Sequence, residues 1–201
     1  MTYRIVLVFI FLFQSLPFWG QVDSNLSKLL DSLKFEDQKW RNLSSKVYKN
    51  EIDTISIEVA MKRVSETDSL NYLVIKPLFD KFGYLGNDKV GVQSSHNFWL
   101  LVQHADIHPD FQEIVLIKMK IEVDKGYAPL KDYAYLYDRV KVNSGQLQLY
   151  GTQMTLDSLI MSYKPKPIFD PDKLNERRKQ VGLSPIEDYI KIMNDNFLKP
   201  K

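Results

Sequence analysis

Phe98-Trp99-Leu100-Leu101-Val102-Gln103-His104-Ala105 carries five large apolar side chains and two polar ones, Gln103 and His104. A surface helix keeps one face polar, whereas this stretch is apolar nearly all the way round. It therefore reads as the buried central helix of a helical domain. A buried amide and a buried imidazole need hydrogen-bond partners, so the segments packed around them must turn polar side chains inward. Helical periodicity shows where those partners lie.

Length and composition set the class. A chain of 201 residues suffices for one domain with a sizeable core, and 44% apolar with 26% charged content marks a globular chain rather than a disordered one. Basic and acidic residues number 27 and 25, a net charge of +2. No basic tract stands out, so nucleic acid is not an expected partner. Without cysteine there is no disulfide framework, no thiol nucleophile and no lipid attachment through cysteine.

Residues 1–20 differ from the rest. Arg4 is their only charge, residues 5–13 form an unbroken apolar run, and Gly20 precedes Gln21, the layout of a secretory signal peptide. Phe18 is bulky where a small residue is favoured, and an uncleaved anchor is the rival reading. The apolar run is shorter than the ~18 residues a spanning helix needs. The expectation is an exported chain, periplasmic or secreted, with one helical domain over residues 21–201 and no stable membrane insertion. Loss of Arg4 would leave a net charge of +1.

The mature part opens with a helix over residues 23–50, whose stripe Leu26, Leu29, Leu30, Leu33, Trp40 and Val47 is interrupted by Asp37. Arg41, one turn on, is placed to pair with it. Residues 54–82 carry the stripe Ile57, Ala60, Met61, Val64 and then Ile75, Leu78, Phe79, Phe82, with Asp68 and Asn71 between the halves. Either one long helix turns two polar residues inward, or Thr67-Asp68-Ser69 starts a second helix with Asp68 as its N-cap; the start signal favours the second. Pro77 adds a break or kink near Leu73. Residues 83–95 read as a glycine-punctuated loop, with Ser94 or Ser95 capping the central helix.

Pro109 then opens a helix through Phe111, Ile114, Val115 and Met119, stopped by Gly126. Residues 129–142 form another, with Leu130, Tyr133, Tyr137 and Val140 inward. At Gln146-Leu147-Gln148-Leu149-Tyr150 the period changes to the alternation of a strand. Residues 152–156 and 159–163 suit a small hairpin around Asp157-Ser158. Asp170-Pro171 starts a helix that Gly182 stops, and Ser184-Pro185-Ile186-Glu187 is a capping box for the last helix. The expected fold is mainly α, a single-domain helical bundle with one small β-hairpin near the C-terminal third.

Asp37, Arg41, Asp68, Asn71, Gln103, His104, Arg177 and Arg178 are polar where helical period asks for apolar residues, and Asp138 and Arg139 join them. Opposite charges among them should meet, because isolated charges are expensive to bury. Two readings stay open. In one, the set is a structural network that fixes helix registers. In the other it lines a pocket, with His104 as general acid or base and a carboxylate orienting it. A metal reading rests on His104, Asp106 and His108 with His96 nearby, but the spacing is not H-E-x-x-H and His108 simply precedes a helix-starting proline. No metal or cofactor is expected. No G-x-S-x-G elbow, P-loop or dinucleotide fingerprint occurs.

These residues coincide with a pattern of ordered pieces. They are D-Q-x-x-R (Asp37, Gln38, Arg41), D-x-x-N (Asp68, Asn71), W-L-L-V-Q-H-A-D (Trp99 to Asp106), L-x-D-R-V (Leu136 to Val140), Q-x-Y-G-T-Q (Gln148 to Gln153) and N-x-R-R-x-x-V-G-L (Asn175 to Leu183). On them the chain resembles a bacterial domain family of unknown function. The resemblance implies a mostly helical domain with a short hairpin and brings no activity with it. His96 and His108 lie outside the pattern, and Tyr84-Leu85 replaces an aromatic followed by proline.

The leading functional expectation is a pocket for a small polar or anionic ligand, held by Gln103, His104, Arg139, Gln148, Tyr150, Gln153, Arg177 and Arg178 and by the inward set Asp37, Arg41, Asp68 and Asn71. The alternative is a hydrolase-like enzyme with His104 as acid/base and Asp138 or Asp106 as its orienter. A second alternative is a structural or partner-binding module with a sealed polar core. A melting curve of His104→Ala discriminates. A sealed site loses on the order of 1–3 kcal/mol for the stranded partner, and a solvent-filled one loses little.

Overall fold

The computed structural model describes residues 22–197, and the signal segment expected at residues 1–20 lies outside the described residues. Helices α1 (Ser24–Tyr48), α2 (Ile57–Phe82) and α3 (Asn87–Gln103) pack on one another as the frame. Helix α4 (Pro109–Asp124) packs against α5 (Leu130–Asn143), and both touch α3. Strands β1 (Met154–Asp157) and β2 (Ser162–Pro165) pair antiparallel, Met154 opposite Pro165 and Asp157 opposite Ser162. A 3-10 turn (Pro171–Lys173), α6 (Leu174–Gln180) and α7 (Ile186–Phe197) complete the chain. The protein is mainly α, and among the described residues one small hairpin stands in the C-terminal third. Among the described residues no helix is long and apolar enough to cross a membrane.

The core lies where residues 98–105 place it. Phe98, Leu101 and Val102 are sealed, and around them stand Leu30 of α1, Ile75 and Phe79 of α2, Phe111 and Met119 of α4, and Leu136 and Val140 of α5. Each such side chain contributes roughly 1.5–3 kcal/mol of burial, which is how a cysteine-free chain holds together. The hairpin is too small to stand alone. It is tied to α7 by Asn194, whose Oδ1 accepts from the Tyr163 amide at 2.7 Å and whose Nδ2 donates to the Ser162 hydroxyl.

Several expectations yield to tertiary context. Residues 57–82 form one helix, with Asp68 inside it rather than at an N-cap. Thr67 and Ser69, which signal a start, instead turn their hydroxyls back to the carbonyls of Arg63 and Ser65. Pro77 is tolerated, because the carbonyl it leaves free belongs to the exposed Leu73. Helix α3 begins at Asn87 and carries a kink at Gly91, whose φ of 78° only glycine adopts readily. Ser94 is therefore interior, and with Asn97 it donates to Asp31 across the α1–α3 seam at 2.9 and 2.8 Å. Residues 146–150 form no strand beyond a single bridge between Gln148 and Ile168. Ile114, Met61 and Leu130 face outward, while Gln112 is sealed.

His96 sits in mid-α3. Its Nδ1 lies 2.8 Å from Oδ2 of Asp132, its ring stacks on Trp99, and the Trp99 indole N–H donates to the Asp132 carbonyl at 2.7 Å. The Asp132 hydrogen bond holds the imidazole above its ordinary value of 6.5, against the pull of burial. A raised histidine stabilises fully below the unfolded value and loses that contribution as pH rises through the folded one. The melting-temperature gap between wild type and His96→Gln should therefore be widest near pH 5–6 and shrink by about pH 9. A gap that does not change with pH would refute the ion pair.

Candidate functional site

The organising contact joins α1 to the end of α3. Asp37, 1% exposed, presents Oδ1 to Nδ1 of His104 at 2.8 Å. Its other oxygen accepts from the Gln38 amide at 2.7 Å, and Arg41 adds a longer bond of 3.3 Å. The far end of the Arg41 guanidinium donates to Asp68 on α2. Burial works to raise the Asp37 carboxyl, but the His104 hydrogen bond and charge, followed by Arg41, hold it below its ordinary value. Asp68 goes the other way, because burial outweighs the help of Arg41. Asp37 is thus the anion. With Asp37 ionised, Nδ1 of His104 is the donor of this bond, and Nε2 is the ring nitrogen turned away from it.

The end of α3 is built to hold His104 there. The His104 amide closes the last turn onto the Leu100 and Leu101 carbonyls. The Val102 carbonyl accepts from the Ala105 amide at 3.1 Å, and Gln112 of α4 reaches back with its side-chain amide to the Val102 and Gln103 carbonyls, at 3.0 and 3.2 Å.

His104 forms part of the wall of a cleft of about 290 Å³ between α3, α5, α7 and the segment before β1. Gln103, Arg139 and Gln153 line it together with the aromatic rings of Trp99, Tyr135 and Tyr189. Arg139 is fixed by Asp106, its Nη1 donating to Oδ2 at 2.7 Å. Asp106 in turn accepts from Asn143 and Gln112. Burial would raise its carboxyl, and the Arg139 charge overrides that and lowers it. The buried amide nitrogen of Gln103 and Nε of Arg139 have no partner among the described residues. Each stranded donor costs about 1–3 kcal/mol, so two on one cleft wall call for an explanation.

A second polar centre stands beside the first. Asp138 is sealed and accepts from the amides of Leu149, Tyr150 and Thr152 and from the Thr152 hydroxyl, at 2.7–3.1 Å. Burial pushes its carboxyl upward against the pull of those donors. Arg177 donates to the Leu149 carbonyl and Arg178 to that of Tyr150, at 2.8 and 2.6 Å. Gln148 accepts from the Gln153 amide and donates to the Gln153 and Lys166 carbonyls. Side chains thereby satisfy the backbone of an irregular segment, residues 148–153, which could not otherwise be buried.

Residues 28–201 match a family described as a family of unknown function (DUF6624). The chain belongs to that family. No curated protein and no solved structure matches it.

In this DUF6624 protein the inward polar residues divide into two groups rather than converging on one imidazole. The carboxylate that orients His104 is Asp37, on α1, in place of Asp138 or Asp106; Asp138 anchors the loop and Asp106 anchors Arg139. Arg177 and Arg178 spend their donors on carbonyls, and Gln148 and Tyr150 belong to the loop scaffold rather than to the cleft wall. Asp37, Arg41 and Asp68 stand behind His104, and Asn71 is buried within α2. The donors expected for a metal are dispersed, since His108 stacks on Tyr72 and His96 pairs with Asp132. Asp37, Asp68 and His104 do bring donor atoms within 4.8 Å of one another, and there the Arg41 guanidinium already supplies the positive charge.

Gln112 and the ring pair Tyr135 and Tyr189 were not among the expected site residues. Gln112 shares a helical stripe with Val115 and Met119, so the rule of polar residues at apolar positions identifies it. The tyrosines gave no such signal, being ordinary at half-buried positions. Asp138→Ala strands three backbone amides and a hydroxyl and should cost on the order of 3 kcal/mol, read as a lower urea midpoint at unchanged slope. A loss below about 0.5 kcal/mol would remove its anchoring role.

Proposed function

We propose that the cleft binds a small polar molecule and that His104, oriented by Asp37, moves a proton on it. The single observation that carries this reading is a cleft-wall imidazole whose Nδ1 faces a buried, ionised carboxylate 2.8 Å away. That pairing fixes the tautomer and stabilises the imidazolium that forms when Nε2 takes a proton. In a hydrolytic step, Nε2 would accept a proton from water attacking an acyl or phosphoryl centre and return it to the leaving group. The Thr152 hydroxyl, the one alcohol on the cleft wall apart from tyrosine phenols, is committed to Asp138, so water is the nucleophile in this reading.

A second reading is binding without chemistry, favoured by the stranded donors of Gln103 and Arg139. A sealed polar core is disfavoured by the access of the cleft to His104. We also propose export, to the periplasm or beyond. It is supported by Arg4, the apolar run over residues 5–13 and the small Gly20 before Gln21.

The test is a panel of small carboxylic esters, amides and phosphate esters offered to the purified protein. One class should be turned over, and His104→Gln should lower kcat by roughly 100-fold or more while the melting temperature shows the variant folded. Absence of turnover, or turnover that His104→Gln leaves intact, overturns the acid/base reading.

A further inference from the structure

We infer that the cleft holds its ligand by a carboxylate, received by the side-chain amide nitrogen of Gln103 and by Nε of Arg139. The inference rests on the cleft being a ligand site, as proposed above, and states what that ligand carries. Both groups are N–H donors, both are buried atoms without an acceptor among the described residues, and both belong to residues that line the same cleft. Gln103 is 5% exposed, so water does not reach it freely. The missing partner is therefore an acceptor that arrives with the ligand.

Charge decides which acceptor. No aspartate or glutamate lines the cleft, and Arg139 is its one permanently charged residue. That favours an anion over a neutral carbonyl. Arg139, however, already gives Nη1 to Asp106, which leaves it less than a full charge to offer. A single negative charge matches that remainder better than a phosphate dianion, and two donors suit the two oxygens of a carboxylate. Asn143 and Gln112 hold Asp106, so Arg139 is placed before any ligand arrives, and little ordering remains to oppose binding. The other walls are Trp99, Tyr135 and Tyr189 with Met154 and Met193. They ask for an apolar or aromatic body attached to the acid, in a space of about 290 Å³ that suits one ring and a short side chain.

The experiment uses ¹⁵N-labelled protein, following the Arg139 Nε–H and Gln103 side-chain amide signals by NMR. Acetate, benzoate and 3-phenylpropionate are each titrated beside the corresponding neutral amide, with inorganic phosphate as a further probe. At least one carboxylate should shift both signals saturably, its amide should bind at least about tenfold more weakly, and a ring-bearing acid should bind more tightly than acetate. Gln103→Leu and Arg139→Lys, the latter keeping the charge and losing the Nε donor, should each weaken binding by about tenfold or more.

No saturable shift with any carboxylate, equal binding of acid and amide, tighter binding of phosphate, or binding indifferent to both variants would each overturn the inference. The two proposals fail separately. A carboxylate that binds His104→Gln as it binds wild type, with no compound turned over, leaves this inference standing and removes the acid/base reading. Turnover that depends on His104 without carboxylate binding does the reverse.

Discussion

An irregular segment cannot be buried unless something satisfies its peptide groups, and residues 148–153 are the place where this molecule meets that requirement. Gln148 and Gln153 reach backbone partners at the segment's ends, and side chains meet the peptide groups of Leu149, Tyr150 and Thr152 between them. Asp138 takes three amides, Arg177 and Arg178 take two carbonyls, and Gln148 clamps the Gln153 backbone from both sides. The consequence reaches beyond the loop. Thr152 and Gln153 are carried to the cleft wall opposite the end of α3, and the cleft exists because the segment is held there. Loss of the anchor would free not one contact but the whole wall.

Helix α5 links the two polar centres through neighbouring residues. Asp138 and Arg139 are consecutive, so their side chains leave the helix about 100° apart. The first is sealed against the loop and the second reaches Asp106 beside His104. A change in the rotation of α5 would therefore disturb the loop anchor and the cleft donor together. The same economy appears at Gln112, where one amide closes the end of α3 and also touches Asp106. The terminus of α3, the Asp106–Arg139 pair and the loop are thus connected through Gln112 and through neighbouring residues of α5.

The fold was readable because its signals were local or periodic. The apolar residues 98–105 placed the central helix, and punctuation by Pro109, Gly126, Pro171 and Gly182 placed the elements around it. What periodicity could not supply was direction. It placed Asp37, Asp138 and Arg178 among the inward-facing polar residues, yet the first faces an imidazole and the others face a loop. Which carboxylate meets His104 depends on how α1 lies against α3, a contact between residues 67 apart. The apparent strand at residues 146–150 failed for a related reason. The alternation puts Leu147 inward and Gln148 outward, whereas Leu147 is half exposed and Gln148 is sealed, its side chain engaged with the Gln153 and Lys166 backbone.

The two polar centres also differ in how they end. Among the described residues, no buried side-chain atom of Asp138, Gln148, Thr152, Arg177 or Arg178 is left without a partner. That is what stability alone would select, since a half-satisfied buried network is worse than an apolar core. Around His104 the outcome is different. Asp37 is fully engaged, but the engagement turns Nε2 of His104 away from it, and the Gln103 amide and Nε of Arg139 stay open on the same cleft wall. A leucine at position 103 would fill similar volume without a stranded donor. The open valences are therefore a standing cost beside a network that shows the chain can close such valences when folding is the only demand, and a ligand that completes them removes the cost.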